Sequence, residues 1–388
     1  MDTENAAGMI QKAGEVIKPV VPEGTVEELL ERVYGLKVLT VESINGYDDC
    51  NYAITVDENY DNKYIKQLWP HGYLLKIINI LDSKRPKMHE AQFLLMDHLR
   101  KGGIPTQKPV PDKNGELMSC QQIYKNKDQN GNIGDYNQHI VKLLTYLPGD
   151  ILLNYPFTPN LLYKNGQFVA QVTNAFRGFQ NDFFKTFDCR WGLGNMPLLK
   201  DYVFVLKPED RKLVNEVIEA FKNEINPSKF PKGYIHGDMN ESNILVAPEE
   251  GQDDLPTECK RYKFTGVIDF QHTAYSCFVY NLAVNITYVM IFTDRINQLD
   301  VPGHILAGYL SLRQLTEDEF SALKVLLAVR MCQSLVFGAH TYYLDPTNAS
   351  ALHTSKRGWS LLYKFWAEPK DKLESRWKSI IRSYQLQR

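Results

Sequence analysis

The chain has 388 residues, a formal net charge of −2 and 44% hydrophobic residues, ordinary globular usage in a length that buries a core without metal or disulfide staples. Its 44 Lys plus Arg against 46 Asp plus Glu exclude a general polyanion binder, which needs a basic surface, so no nucleic-acid partner is expected. The six cysteines, Cys50, Cys120, Cys189, Cys259, Cys277 and Cys332, lie eighteen or more residues apart, which excludes a C-x-x-C metal or redox motif and fits free thiols in a reducing, cytoplasmic setting.

The first residues lack an apolar core and carry Asp2 and Glu4, which argues against a secretory signal. Residues 1–24 read as a weakly patterned lead-in. Thr25 and Glu28 spell a capping box for a helix over 25–35. Strands are expected at 36–44, 51–58 and 72–80, where β-branched and aromatic residues gather. The polar, aromatic segment 61–71 reads as an exposed hairpin connection. Helical spacing over 88–103 ends at the glycine pair Gly102 and Gly103. Strands follow around 107–112, 117–123 and 139–147, the last two separated by a Gly/Asn/Asp-rich loop at 125–135. Pro148 and Gly149 break the pattern. Helices are expected at 168–183 and 209–225, then strands at 233–247 and 262–270. The acidic loop 249–258 between them reads as exposed and without a chemical role. The remainder reads as helix over 279–291, 318–340 and 350–366. The most apolar run, Cys277 to Phe292, is sixteen residues long and interrupted by Asn281 and Asn285. A spanning helix needs about 20 apolar residues, so this run is expected to be a buried core helix, with no membrane partner. The N-x-[ST] matches at Asn240, Asn285 and Asn348 read as chance. The fold class is therefore α+β in two lobes. Residues 25–148 give an antiparallel sheet plus a helix. Residues 149–388 give a mainly helical lobe with a small β insert.

The chemistry concentrates in His236-Gly237-Asp238-Met239-Asn240-Glu241-Ser242-Asn243. Kinase catalytic loops use this D-x-x-x-x-N spacing: the Asp accepts the acceptor hydroxyl's proton and the Asn holds magnesium. A polar turn between strands has similar composition. Downstream, Gly266-Val267-Ile268-Asp269-Phe270 is an apolar strand ending in an acid, thirty-one residues after Asp238. Flanking strands would bring Asn243 and Asp269 together as hard oxygen ligands for Mg2+. Lys76 sits inside the apolar strand Tyr73-Leu74-Leu75-Lys76-Ile77. A lysine there needs a partner or an outward path. A kinase strand uses one to hold nucleotide phosphates, paired with a helix glutamate, and the next helix offers Glu90. A solvent-facing Lys76 and a solvated Glu90 are the alternatives. No Gly-rich phosphate motif occurs. Residues 45–52, Asn45-Gly46-Tyr47-Asp48-Asp49-Cys50-Asn51-Tyr52, could cover phosphates with backbone N–H groups or form an ordinary hairpin.

On these motifs the sequence resembles the aminoglycoside phosphotransferase and choline kinase superfamily, over roughly residues 25–385. The resemblance implies a bilobal protein-kinase-like fold and phosphoryl transfer to a small-molecule hydroxyl. It implies Asp238 as catalytic group, Asn243 and Asp269 as Mg2+ ligands, Lys76 as phosphate anchor with Glu90 as its partner, and the hinge backbone at Leu144, Tyr146 and Leu147 as the purine contact. Residues 45–52, 142–149, 190–199, 303–309 and 330–340 resemble a subgroup that uses GTP to phosphorylate 5-hydroxylysine in amino-acid catabolism. Those two preferences come from the resemblance, not from spacing. An amino-acid acceptor brings a carboxylate and amines, for which Arg330, Arg190, Asp188 and Glu241 are candidates. Arg330 could equally be a buried structural salt bridge, and Trp191 a core residue. Two positions depart from the superfamily pattern: Gln271 where many relatives have Gly, and Asn281 where many have Asp. Another acceptor (choline, homoserine or a sugar) and a nucleotide-binding pseudokinase scaffold remain as alternatives. A protein kinase is disfavoured by the lack of an APE-like element, and a hydrolase by the lack of a placed nucleophile.

Overall fold

The computed structural model describes residues 16–125, 134–252, 255–256 and 260–386. The lead-in before residue 16, most of the 125–135 loop, Cys259 and parts of the acidic loop lie outside the described residues. Two compact units emerge, Met1–Met96 with Gln107–Pro148, and Asp97–Thr106 with Gly149–Arg388. Residues 97–106, expected in the first lobe, belong with the second. Val267 N donates to Pro105 O at 3.1 Å, and the His98 ring meets Ala175 O at 3.0 Å.

The first unit opens with α1 (Thr25–Leu29), which runs into a π-helical turn, Leu30–Tyr34. Gly24 caps it at φ 78 with no side-chain cap bond, so Thr25 and Glu28 form no capping box; the turn starts one residue too early for Thr25 to precede it. One sheet follows: β1 (Leu36–Ile44), β2 (Cys50–Tyr60), β3 (Tyr73–Ile77), β4 (Pro109–Val110), β5 (Ser119–Tyr124) and β6 (Tyr136–Thr145). Its order is β1-β2-β3-β6-β4, with β5 also on β6, and every pair is antiparallel. All five residues of β3 are buried, as a central strand covered on both faces requires. Segment 61–71 is more than an exposed connection. Asn62 is buried and its Nδ2 donates to Tyr34 O and Pro111 O, both at 3.0 Å, while Ile65 joins the core. Helix α2 (Pro86–Lys101) follows β3.

The second unit holds two small sheets and most of the helices. Strands β7 (Asp150–Ile151), β9 (Ile244–Pro248) and β10 (Tyr262–Val267) form one sheet, and β8 (Lys232–Ile235) pairs with β11 (Ala274–Cys277) in the other. The helices are α3 (Pro159–Ala175), α4 (Asp182–Thr186), α5 (Pro208–Glu224), α6 (Phe278–Phe292), α7 (Val301–Leu310), α8 (Glu317–Leu344), α9 (Ser355–Ala367) and α10 (Lys370–Leu386). Helix α3 starts nine residues before the expected 168, because Thr158 caps it through Leu161 N and Pro159 fills its first turn. Its pattern stops at Ala175, so 176–181 is not helical. Helix α6 is the buried helix expected from the apolar run. Helix α8 carries a true capping box, Thr316 with Glu319. By length and composition alone α8 could cross a membrane, but 83% of its apolar stretch is buried inside the fold, as in a core helix.

Helices α3 and α7 meet backbone to backbone. A Cβ at Gly166 would lie 1.9 Å from Ile305 O, and one at Gly308 would lie 1.8 Å from Tyr163 O. Only glycine permits this crossing. Gly308→Ala is therefore expected to destabilise by at least about 1–3 kcal/mol, the usual scale of overpacking. Urea titration measures it; an unchanged midpoint would show that the helices can part at no cost.

Candidate active site

The loop from His236 to Asn243 leaves β8 and enters β9 without a ladder of its own, so its backbone groups need other partners. Gly237 has φ 79, and a Cβ there would stand 2.2 Å from His272 O. Its N–H donates to Asn281 Oδ1 at 3.2 Å. One turn along α6, Asn285 Nδ2 donates to Met239 O at 2.9 Å. Both asparagines are fully buried. The two residues that interrupt the apolar run are thus the ones that hold the loop. His236 is also fully buried. Its Nε2 donates to Ile268 O at 2.9 Å, and its Nδ1 accepts from Asp238 N at 3.2 Å. These partners define a neutral tautomer, and burial pushes the ring's pKa down. Asn240 closes the turn by accepting from Ser242 N and Asn243 N.

The Asp238 carboxylate is held on both oxygens. Arg330 donates to Oδ1 at 2.7 Å; Asn243 Nδ2 donates to Oδ2 at 3.2 Å, and His272 Nδ1 lies 3.5 Å from Oδ2. Burial alone would raise this carboxyl, but His272 and Arg330 outweigh burial and hold it well below the usual carboxylate range. Glu241 shows the opposite balance. It is 3% exposed, one oxygen accepts from Ser242 Oγ at 3.2 Å, and the other is buried without a partner. Burial pushes its pKa up to about 7.

Strands β9 and β10 pair Leu245 with Gly266 and Ile244 with Val267, and Ile268 N donates to Asn243 O at 3.0 Å. The register sets Asn243 beside the approach to Asp269. Asp269 has φ 64 and, among the described residues, is the one non-glycine with positive φ, a conformation that costs about 1–3 kcal/mol and collects at functional sites. Gln271 needs no glycine, since the left-handed residue here is Asp269. The Asn243 amide nitrogen is committed to Asp238, donating to its backbone oxygen at 2.9 Å and to Oδ2 at 3.2 Å, which leaves the amide oxygen as the atom that would meet a cation. Among the described residues no three Asp, Glu, His or Cys converge as a metal cluster. An amide oxygen and one carboxylate fit a hard cation that keeps waters and phosphate oxygens.

In the first unit Lys76 is 7% exposed, so it is not a solvent-facing strand position. Asp49 stands 3.8 Å from its Nζ. Asp49 is itself 5% exposed and accepts from Asn79 N at 2.9 Å and Asn79 Nδ2 at 3.0 Å. Glu90 is exposed, and so is Leu94 one turn later, so the expected Lys76–Glu90 pair is replaced. The inward stripe of α2 carries His89 and Gln92 instead. They meet Lys142, which lies directly opposite Lys76 across β3 and β6. Lys142 Nζ is 3.1 Å from His89 Nδ1 and 2.9 Å from Gln92 Oε1. Burial first, then the Lys142 cation, push the His89 pKa down to about 2. At the expected hinge, Leu144 and Leu147 are buried. Tyr146 N donates to Gly72 O at 3.0 Å and Tyr146 O accepts from Trp69 Nε1 at 2.6 Å.

The acceptor candidates have different partners. Arg330, expected as a ligand for a substrate carboxylate, donates to Asp238 at 2.7 Å and is 1% exposed. The Arg190 guanidinium lies 5.3 Å over the Phe337 ring. Asp188 Oδ1 accepts from Asn195 Nδ2 at 2.6 Å. With Gly237, His272, Ser276 and Tyr280 it lines a cavity of ≈ 110 Å³. Sequence reasoning missed Asp49, Lys142 and His272. An acid pair at 48–49 and a second lysine in an apolar strand were the available signals.

The two-lobed α+β fold, the H-G-D-x-x-x-x-N loop and the strand-terminal Asp269 define a class of phosphotransferase. The chain belongs to the phosphotransferase enzyme family, whose model matches residues 53–315, and it is a kinase with an alcohol group as acceptor. Over its whole length it is similar to hydroxylysine kinases. It is 31% identical over 387 residues to that of Bos taurus, covering 98% of each chain. It is 32% identical over 379 residues to that of Xenopus laevis, covering 95% of this chain and 96% of the other. Among solved structures it is similar in fold to an amicoumacin kinase in complex with AMP-PNP, Ca2+ and amicoumacin. The TM-score is 0.60 at 16% identity, over 91% of this chain and 93% of that one.

Lys76→Ala is expected to raise the nucleotide KM and lower kcat, whereas Glu90→Ala moves neither by more than about twofold, as suits an exposed charge. Steady-state kinetics decide; a strong effect of Glu90→Ala would restore the expected pair. The depressed His89 pKa carries a stability consequence. The unfolded chain binds the proton near pH 6.5 while the folded chain resists it, so stability is full above 6.5 and declines as pH falls toward about 2. Urea midpoints between about pH 7 and 5 should fall less in His89→Gln than in the parent. Parallel slopes would rule this out.

Proposed function

We propose that the protein transfers the γ-phosphate of a nucleoside triphosphate, GTP, to the 5-hydroxyl of 5-hydroxy-L-lysine, giving 5-phosphohydroxylysine and the diphosphate, as a step of cytoplasmic amino-acid catabolism. What carries the choice of acceptor is the end-to-end similarity to hydroxylysine kinases. What carries the reaction type is the constellation of Asp238, Asn243 and Asp269 on adjoining turns of one unit.

In this reading Asp238 orients the acceptor hydroxyl and takes its proton as the new O–P bond forms and the bond to the β-phosphate oxygen breaks. Held by Arg330 and Asn243, the carboxylate acts chiefly by aiming the acceptor oxygen. Asn243 and Asp269 would hold Mg2+, which when bound neutralises phosphate charge. A divalent cation also accompanies the nucleotide in the amicoumacin kinase. Lys76, kept in place by Asp49, holds the α- and β-phosphates. An ε-ammonium in a covered strand interacts far more strongly than one in water.

A panel of 5-hydroxylysine, lysine, homoserine and choline, each with GTP or ATP, tests the reading. Phosphorylated product with 5-hydroxylysine alone, faster with GTP, is the expected outcome. Product with another acceptor would reassign the substrate, and nucleotide binding without any product would point to a scaffold. Asp238→Ala should abolish turnover while nucleotide still binds; retained activity would remove Asp238 from the reaction.

A further inference from the structure

Arg330 lies near the middle of α8 among buried apolar residues and is 1% exposed. Placing a guanidinium there costs several kcal/mol of desolvation, which only well-placed partners offset. Its NH2 donates to Asp238 Oδ1 at 2.7 Å and its NH1 to Trp191 O at 3.0 Å. The Trp191 and Tyr288 rings flank it at 5.1 Å and 5.2 Å from Cζ. One turn on, Gln333 Nε2 donates to Gly192 O at 2.9 Å, so α8 grips the same 191–192 turn twice. The guanidinium therefore has a fixed carbonyl on one arm and the Asp238 carboxylate on the other, between two aromatic walls.

We propose that Arg330 is a positioning residue for phosphoryl transfer: its fork fixes Oδ1 of Asp238 and so sets the angle at which Oδ2, which also accepts from Asn243 Nδ2, meets the acceptor hydroxyl. The inference rests on the reading of Asp238 given above. Arg330 acts through Asp238 and touches no substrate: both terminal nitrogens already donate within the protein, and its remaining donor, Nε, is buried without a partner in a side chain only 1% exposed. Lysine could not replace it fully. An ammonium is a point charge, whereas the planar fork bridges a carbonyl and a carboxylate at a set angle and stacks on aromatic faces.

The test is a double-mutant cycle with Arg330→Met, Arg330→Lys and Asp238→Asn in the full chain, using whichever acceptor the parent protein phosphorylates. Arg330→Met should lower kcat by about 100-fold, the cost of a reacting group misplaced by about 1 Å. Acceptor KM and nucleotide Kd should stay within about threefold, because neither ligand meets the guanidinium. Arg330→Lys should recover part of kcat. In the Asp238→Asn background, where the residual rate is read in single-turnover assays with enzyme in excess, Arg330→Met should cause no further loss, because its effect passes through the carboxylate. That background also removes the unpaired buried charge, so the pair stays folded even if Arg330→Met alone does not. A raised acceptor KM at unchanged kcat would make Arg330 a substrate ligand and overturn the proposal. So would losses that multiply in the double variant, or a loss of nucleotide binding that tracks a fall in Tm. A wrong acceptor would show in the parent protein's own panel, whereas a wrong role for Arg330 would show as missing coupling.

Discussion

The loop 236–243 must bury backbone polar groups that no strand ladder can reach, and satisfying them fixes much of the second unit. An unpaired buried donor or acceptor costs about 1–3 kcal/mol, so several left open would consume a large part of a domain's stability. The solution comes from three places. Helix α6 offers Asn281 to Gly237 N and Asn285 to Met239 O. The buried imidazole of His236 joins Asp238 N to Ile268 O. Asn240 folds the turn on itself. An asparagine serves at 281, where many superfamily relatives carry an acid, because the partner is a peptide N–H and an amide oxygen is acceptor enough. With the backbone held this way, the carboxylate of Asp238 is left to respond to Arg330, His272 and Asn243.

Buried charge follows a similar logic in the first unit. Lys76 and Lys142 stand opposite each other across β3 and β6, where like charges repel. They are reconciled by different partners. Asp49, itself fixed by Asn79, lies beside Lys76. His89 and Gln92 receive Lys142. The imidazole stays neutral because burial and the neighbouring cation both oppose its protonation. An acid on that helix is thus not the only way to settle the lysines, and Glu90 faces solvent.

The parts of the site legible in the sequence were those carried by one short run of chain. The octet at 236–243 and the strand ending in Asp269 are local, and the pairing of β9 with β10 follows from two apolar segments joined by a loop. Lys76 was legible because a charge inside five apolar strand residues demands an explanation. Its partner was not. Along a helix each residue turns about 100°, so reading Glu90 rather than His89 as inward is an error of one position that sends the side chain to solvent. Thr25 failed as a cap for a similar reason, since the helix begins at Thr25 itself. Asn62 and Ile65 looked like loop residues because their roles depend on Tyr34 and Pro111, far off in sequence. Arg330 was legible as anomalous but not as to purpose, because its partner lies ninety-two residues away.

The sequence by itself determined the α+β class, the placement of the phosphoryl-transfer motifs on turns between strands, and the absence of polyanion-binding charge. These follow from periodicity, local turn chemistry and net charge, which neighbouring residues settle among themselves. Tertiary structure alone decided which acid stands by Lys76, that Arg330 serves Asp238, and that Asn281 and Asn285 hold the loop. Those pairings arise from desolvation. A buried charge or peptide group takes whichever partner packing brings within about 3 Å, and packing joins residues that the chain keeps far apart.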